Sequence, residues 1–286
     1  MASASGSINE SSPLKVLLQS RTVIFGLVIL SIVGFTAIFA GYLTPYTPSG
    51  IAMRARLEPP SSSHWLGTDE LGRDILTRLM YAGRISVSVG LGVAILASAF
   101  GILLGLFAGF FRHLDAVISR LLDAMMAFPD ILLAISLVAT FGGSLTNLIL
   151  ALSIVYTPRI ARIVRASTLV VRELTYVEAA HALGVSTPRI LFSHVFRNIA
   201  SPIIVQATFI FAYAMLSEAG LSFLGIGVNP STPTWGVMIN AGRQYIDTAG
   251  WLIMFPGIAI TLCVMSLQVV GDGLRDVLDP RIAKSL

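Results

Sequence analysis

Several stretches of this chain run for 20 residues or more without an aspartate, glutamate, lysine or arginine, and this decides its fold class. Such runs fill the 32 positions between Arg21 and Arg54, 27 between Arg84 and Arg112, 28 between Asp130 and Arg159, 20 between Arg197 and Glu218, and 24 between Asp247 and Asp272. A helix needs about 20 mostly apolar residues to cross the hydrocarbon core of a bilayer. The whole chain of 286 residues is 55% hydrophobic and 12% charged, where a soluble domain carries about 25% charge. An ordinary soluble enzyme and a disordered chain are both excluded. The expected class is all-α and integral to a membrane.

The breaks in these runs set the number of spans. Thr44-Pro45-Tyr46-Thr47-Pro48 stops the first helix. Phe141-Gly142-Gly143-Ser144 divides the third run into the end of one helix and the start of the next. The preceding helix begins near Ala116 and carries Arg120, Asp123 and Asp130. Six spans result, at 22–43, 85–111, 116–140, 144–166, 197–219 and 250–271. Ala219 to Gly242 is also uncharged, but Asn229-Pro230-Ser231-Thr232-Pro233 reads as a turn. That segment is expected to be a re-entrant or extracytoplasmic loop. The first apolar run is too long for a cleaved signal peptide and is taken as a retained span.

Charge distribution orients the spans. With the N-terminus inside, 13 of the 19 basic residues fall on cytoplasmic positions, from Lys15 and Arg21 to Arg281 and Lys284. This matches the positive-inside rule, and six spans place both termini, 1–21 and 272–286, in the cytoplasm. Cys263 is the single cysteine, which excludes an internal disulfide. The four histidines have no i,i+4 pairing, so no metal site is expected. A net charge of +4 calls for no nucleic-acid partner.

Two connecting segments are long and patterned. In the outer one, 44–84, Thr68 is placed to cap a helix with Asp69 and Glu70 in its first turn. Leu71, Ile75 and Leu79 recur at i, i+4, i+8, which predicts an amphipathic helix along the membrane surface or against a partner. In the inner one, Leu174, Val177, Ala180 and Leu183 form an apolar edge on a short helix closed by Gly184. Thr187 is expected to cap a second helix, with Pro188 at its first position. A helix–glycine turn–helix unit of this kind, 168–196, is suited to docking on another protein. A plain connector is shorter.

The sequence Glu178-Ala179-Ala180 followed by Gly184 resembles the EAA loop of ABC-importer permeases. The apolar–Pro pair that ends the family motif is not present: Phe196-Arg197 stand there, with Pro202 further on. His64 to Asp74 is similar to the Leu-Gly-Thr-Asp-x-x-Gly-Arg-Asp signature of peptide and nickel importers. Leu221-Ser222-Phe223-Leu224-Gly225, Pro233-Thr234-Trp235-Gly236, and Gly271 to Asp276 with Leu278-Asp279-Pro280 also look like this subfamily. Together the matches run from about residue 14 to 281. The resemblance implies the type I ABC importer permease fold and the second permease subunit of a dipeptide, oligopeptide or nickel importer in a prokaryotic cell membrane. It implies as partners a second homologous permease, two ATP-binding subunits or a fused one, and an extracytoplasmic solute-binding protein. ATP and magnesium would belong to those partners, with no cofactor in this chain. It places Tyr176, Glu178, Ala179, Ala180, Leu183 and Gly184 at the contact with the ATPase.

The chain has no phosphate loop of its own. Gly101-Ile102-Leu103-Leu104-Gly105 is followed by Leu106 and reads as a helix-packing element with small residues four apart. Ionisable groups in or near spans are functional candidates. Asp123, Asp130 and Glu218 are such groups, with Gln206 as a polar pathway candidate, and Arg120 is spaced to pair with Asp123. Two other classes stay open. An ion-coupled secondary transporter would need midplane ionisable groups, of which the spans are short, and an inverted repeat, which is not visible. A membrane enzyme would need a nucleophile–base or metal arrangement.

Overall fold

The computed structural model describes residues 20–278, and among them helices are the regular structure, with one isolated bridge between Thr68 and Asp74. Lys15, Asp279, Pro280, Arg281 and Lys284 lie outside the described residues. Five helices are long and apolar enough to span a membrane: α1 (Arg21–Leu43), α2 (Ile75–Phe110), α5 (Leu145–Val171), α7 (Thr187–Phe223) and α9 (Trp251–Leu278). A sixth span exists if the bent pair α3 (Arg112–Met126) and α4 (Asp130–Phe141) is counted as one. Two short helices complete the set, α6 (Thr175–Ala182) and α8 (Trp235–Gly242).

The third span is not the continuous helix expected over 116–140. Its two parts meet at 93°. Pro129 is the cause: it disfavours helical geometry at Phe128 and cannot donate to the preceding turn. Asp130 therefore opens a helix of 12 residues instead of lying inside a span.

The outer segment also differs from expectation. No helix begins at Thr68. The chain reverses at Gly67 and Gly72, both at positive φ, and a Cβ at Gly72 would lie 1.9 Å from the Ala52 carbonyl oxygen. Such a position admits only glycine. The cap is Asp74, whose Oδ2 accepts from the Thr77 N–H at 2.8 Å and from the Thr77 hydroxyl at 2.7 Å. The helix that starts there has 36 residues and runs without a break through the second span. Leu71 is outside it. The Thr68 hydroxyl instead donates to the Ala55 carbonyl and accepts from the Glu58 N–H, fastening the loop to itself.

Close helix approach holds the bundle. On α2, Gly101, Gly105 and Gly109 face Ile160–Ala161, Val164 and Thr168 of α5, where an added Cβ would lie 2.6 Å from the nearest heavy atom at each position. Small residues four apart let backbones meet, and van der Waals contact then supplies the attraction that lipid cannot. Gly142 at φ +88° and the Ser144 cap, accepting from the Asn147 N–H at 3.1 Å, turn the chain between α4 and α5 as the sequence predicts. Arg84 ties α2 to the end of α1 through the Ala37 and Ile38 carbonyls, at 2.8 and 2.9 Å. Residues 219–242 do not form a seventh span. They end α7, turn, and fold back as α8, whose Trp235, Val237 and Met238 are buried.

Candidate coupling site

The segment between α5 and α7 is shorter than expected, because α5 continues to Val171. It presents α6 as a short helix at one end of the bundle. Its closure follows from Gly184 at φ +77°. The Gly184 N–H donates to the His181 carbonyl at 3.0 Å and the Val185 N–H to the Ala180 carbonyl at 3.1 Å. This pair of bonds is the Schellman arrangement, which requires a left-handed residue where glycine stands. A Cβ at Gly184 would meet nothing within 4 Å, so the position is set by backbone conformation and not by crowding.

The faces of α6 separate cleanly. Val177 and Ala180 are buried and join the core through Ile190, Leu191 and Val195. Glu178 and Ala179 are exposed, with Tyr176 41% and Leu183 83% exposed. The expected apolar edge is therefore half realised: Val177 and Ala180 pack inward while Leu174 and Leu183 face out. Ala180 stands apart from the other candidate contact residues, since it anchors the helix from beneath. The following helix has its N-cap position at Ser186, one residue before the expected Thr187 and without a side-chain cap bond, with Pro188 in its first turn. Its continuation, Ile190–Phe196, is π-helical before α-geometry resumes at Arg197.

Two contacts join this segment to the end of α2, one from Arg172 at the end of α5 and one from α6 itself. The Arg172 Nη1 donates to the Gly109 carbonyl at 2.7 Å. The His181 ring stacks on Phe110, with centroids 6.0 Å apart and planes 17° from parallel. Neither contact was visible in the sequence, because both join residues more than 60 positions apart.

The remaining candidates fall in three separate places. Asp123 and Asp130 belong to a ladder of ion pairs that fixes α3 and α4 on α5. Asp115 accepts from Arg165 at 2.5 and 2.8 Å, Asp123 from Arg162 at 2.6 Å, and Asp130 from Arg159. Asp123 thus pairs with Arg162 and not with Arg120. The three-residue step of Arg159, Arg162 and Arg165, which puts them along one helix face, was the signal available for this. Gln206 lines a cavity of about 520 Å³ between α5, α7 and α9, together with Asn198, Ser201 and Arg275. Glu218 is fully buried near the far end of α7. No group of three or more metal-ligating side chains occurs among the described residues.

Comparison with known proteins places this architecture. The binding-protein-dependent transport system inner membrane component family matches residues 101–284. The N-terminal membrane domain of oligopeptide transport permease C matches residues 14–60. A putative peptide transport system permease of Brucella suis is 46% identical, covering 93% of this chain and 90% of that protein. A di/tripeptide transport system permease of Pseudomonas aeruginosa is 42% identical, covering 95% and 93%. The dipeptide transport system permease of Escherichia coli K12 is 44% identical, covering 92% and 90%. This chain belongs to the family of binding-protein-dependent transport system inner membrane components.

Proposed function

We propose that the chain is a non-catalytic permease subunit of an ATP-driven importer that moves short peptides across the cytoplasmic membrane of a prokaryote. The single observation that carries the reading is its 42–46% identity, over nearly the full length, to permeases named for peptide, dipeptide or di/tripeptide transport. In this reading a second homologous permease completes the pathway. Two ATP-binding subunits, or one fused subunit, bind ATP and magnesium in the cytoplasm, and an extracytoplasmic solute-binding protein delivers the peptide. Both termini are cytoplasmic. The end of the bundle bearing α6 then faces the ATPase, and the end bearing 44–74 and 224–250 faces outward.

The coupling site consists of Tyr176, Glu178, Ala179, Leu183 and Gly184 at the contact, with Ala180 seated behind them. Ala179 has the smallest side chain compatible with a helix and permits close approach. Tyr176 and Leu183 supply exposed apolar surface that a groove on the ATPase would bury. A docked helix transmits force only if it binds its partner differently in two states. The stacking of His181 of α6 on Phe110 at the end of α2 supports this role, since movement of the ATPase would bear on that 36-residue helix.

The test is uptake of labelled di- and tripeptides into proteoliposomes holding the assembled complex and its binding protein. ATP-dependent uptake supports the reading, and ATP-independent uptake by the purified chain contradicts it. A second substrate reading is favoured by one observation. A permease of Pectobacterium atrosepticum named for glutathione transport is 40% identical over 92% of this chain. Glutathione therefore belongs beside di- and tripeptides in the uptake assay.

A further inference from the structure

Two of the signature segments, Leu221–Gly225 and Pro233–Gly236, converge on one side chain, the carboxylate of Glu218. Its surroundings are polar and closed. The Ser86 hydroxyl of α2 donates to Oε2 at 3.1 Å, and the Ser222 hydroxyl, one turn further along α7, donates to Oε1 at 2.8 Å. Ser86 Oγ also accepts from the Trp235 N–H at 3.3 Å. The side chain of Thr234 lies beside the carboxylate and caps α8 by accepting from the Val237 N–H at 3.2 Å. The first N–H groups of α8 are thus taken up by Ser86 and Thr234, the two hydroxyls that border Glu218. Glu218, Ser86, Ser222 and Thr234 are all buried, with exposures of 2% or less. Among the described residues no basic side chain forms an ion pair with Glu218.

Packing alone does not explain this carboxylate. An apolar side chain of similar size would fill the site without the cost of burying a polar group. What the carboxylate adds is directional contact from α7 to α2, and through Ser86 to α8. The fit around it is tight. A Cβ at Gly236 would lie 2.6 Å from Ala219 Cα, one at Gly83 would lie 3.0 Å from the Trp235 ring, and the Trp235 Nε1 donates to the Leu79 carbonyl at 3.0 Å. Helix α8 packs against α7 and α9, with a smaller contact to α2, at the end of the bundle that the transport reading places outward.

We propose that Glu218 is the positioning residue of an extracytoplasmic latch: from α7 it bonds Ser86 of α2, whose hydroxyl accepts from the first N–H of α8, and this chain holds the three helices together and keeps the outer end of the permease shut until the transport cycle releases it. The inference rests on the transport reading above. Its chemistry is hydrogen-bond exchange only: the Ser86 hydroxyl leaves Glu218 for water on opening and returns on closing, while Ser222, on the same helix as Glu218, keeps its bond.

The experiment uses the complete complex in proteoliposomes, with Cys263→Ala removing the native thiol and Met238→Cys placing a probe on the buried face of α8. A membrane-impermeant maleimide added outside, without nucleotide, reads the latch. Glu218→Leu should raise the labelling rate about fivefold, the loss expected for one hydrogen bond between helices, and should raise ATP hydrolysed per peptide imported. Glu218→Gln, which keeps an acceptor, should restore most of the closed behaviour. If Glu218→Leu does not assemble, Ser86→Ala with Ser222→Ala removes both donors and should raise labelling in the same direction. Parental labelling rates and coupling in Glu218→Leu, or in the double variant where the first fails, would overturn the latch. Absence of ATP-driven uptake by the parent complex would instead overturn the transport reading.

Discussion

Replacement of Gly184 separates backbone strain from contact with a partner. The residue sits at φ +77°, and an added Cβ meets nothing within 4 Å. The cost of a side chain there is therefore conformational. For an L-residue other than glycine it amounts to about 1–2 kcal/mol in this region of the backbone. Asparagine visits the region more readily, so Gly184→Asn should cost less than Gly184→Val, whose branched side chain is least tolerant. If the strained turn opens, the bonds from Gly184 and Val185 to the last turn of α6 are lost. The docking-competent population then falls by a factor of about 5–30, and apparent affinity for the ATPase falls with it. The assay is titration of the purified ATPase onto the detergent-solubilised permease, at equal assembled protein. The expected order of affinity is parent, Asn, Ala, Val. Equal weakening by Asn and Val, or loss that scales with side-chain volume, would show that crowding and not backbone geometry governs the position, and the argument from the turn would fail.

Four further outcomes follow from the contacts described. Leu183→Glu changes a residue 83% exposed, so it should leave thermal stability unchanged within about 0.5 kcal/mol while weakening co-purification of the ATPase; a large drop in Tm would contradict the assigned exposure. Gly105→Leu should destabilise the chain by about 1–3 kcal/mol through overpacking against Val164, whereas Gly92→Leu, where the nearest atom is 3.4 Å from the added Cβ, should cost less; equal Tm losses would refute the seam. Asp115→Asn should speed hydrogen exchange in α3, and the exchange of charges in Asp115→Arg with Arg165→Asp should recover protection, unless the ladder carries no orientation. Thr68→Val leaves the Glu58 N–H without its hydroxyl acceptor, at a cost of about 1–3 kcal/mol, and should expose the outer loop to protease; unchanged cleavage would show that the loop holds without it.

Much of the fold was legible because the bilayer imposes its own length scale. Uncharged runs of about 20 residues located α1, α2, α5, α7 and α9, and Gly101 and Gly105 announced a helix-packing face, though not that α5 is its partner or that Gly109 extends it. The errors came from local chemistry that competes with periodicity. Leu71, Ile75 and Leu79 are spaced for a helix, but Gly72 reverses the chain and Asp74 takes the cap. Ala116 to Thr140 is apolar enough for a span, but Pro129 bends it by 93°. At the candidate site, Gly184 and the Glu-Ala-Ala run were readable, and their placement on one short exposed helix follows from them. The inward turn of Ala180, the His181–Phe110 stack and the convergence of Ser86, Ser222 and Thr234 on Glu218 depend on tertiary packing, for which a single chain carries no local signal.

The coupling claim is tested most directly by a cysteine at Leu183, the most exposed large apolar residue of the α6 unit, in a background where Cys263 is replaced by alanine. A short photoactivatable cross-linker on that cysteine is activated in the assembled complex with and without ATP. The account predicts a cross-link to an ATP-binding subunit whose yield changes when ATP is added. A complex that imports peptide while Leu183 cross-links only to lipid or to the second permease would contradict it.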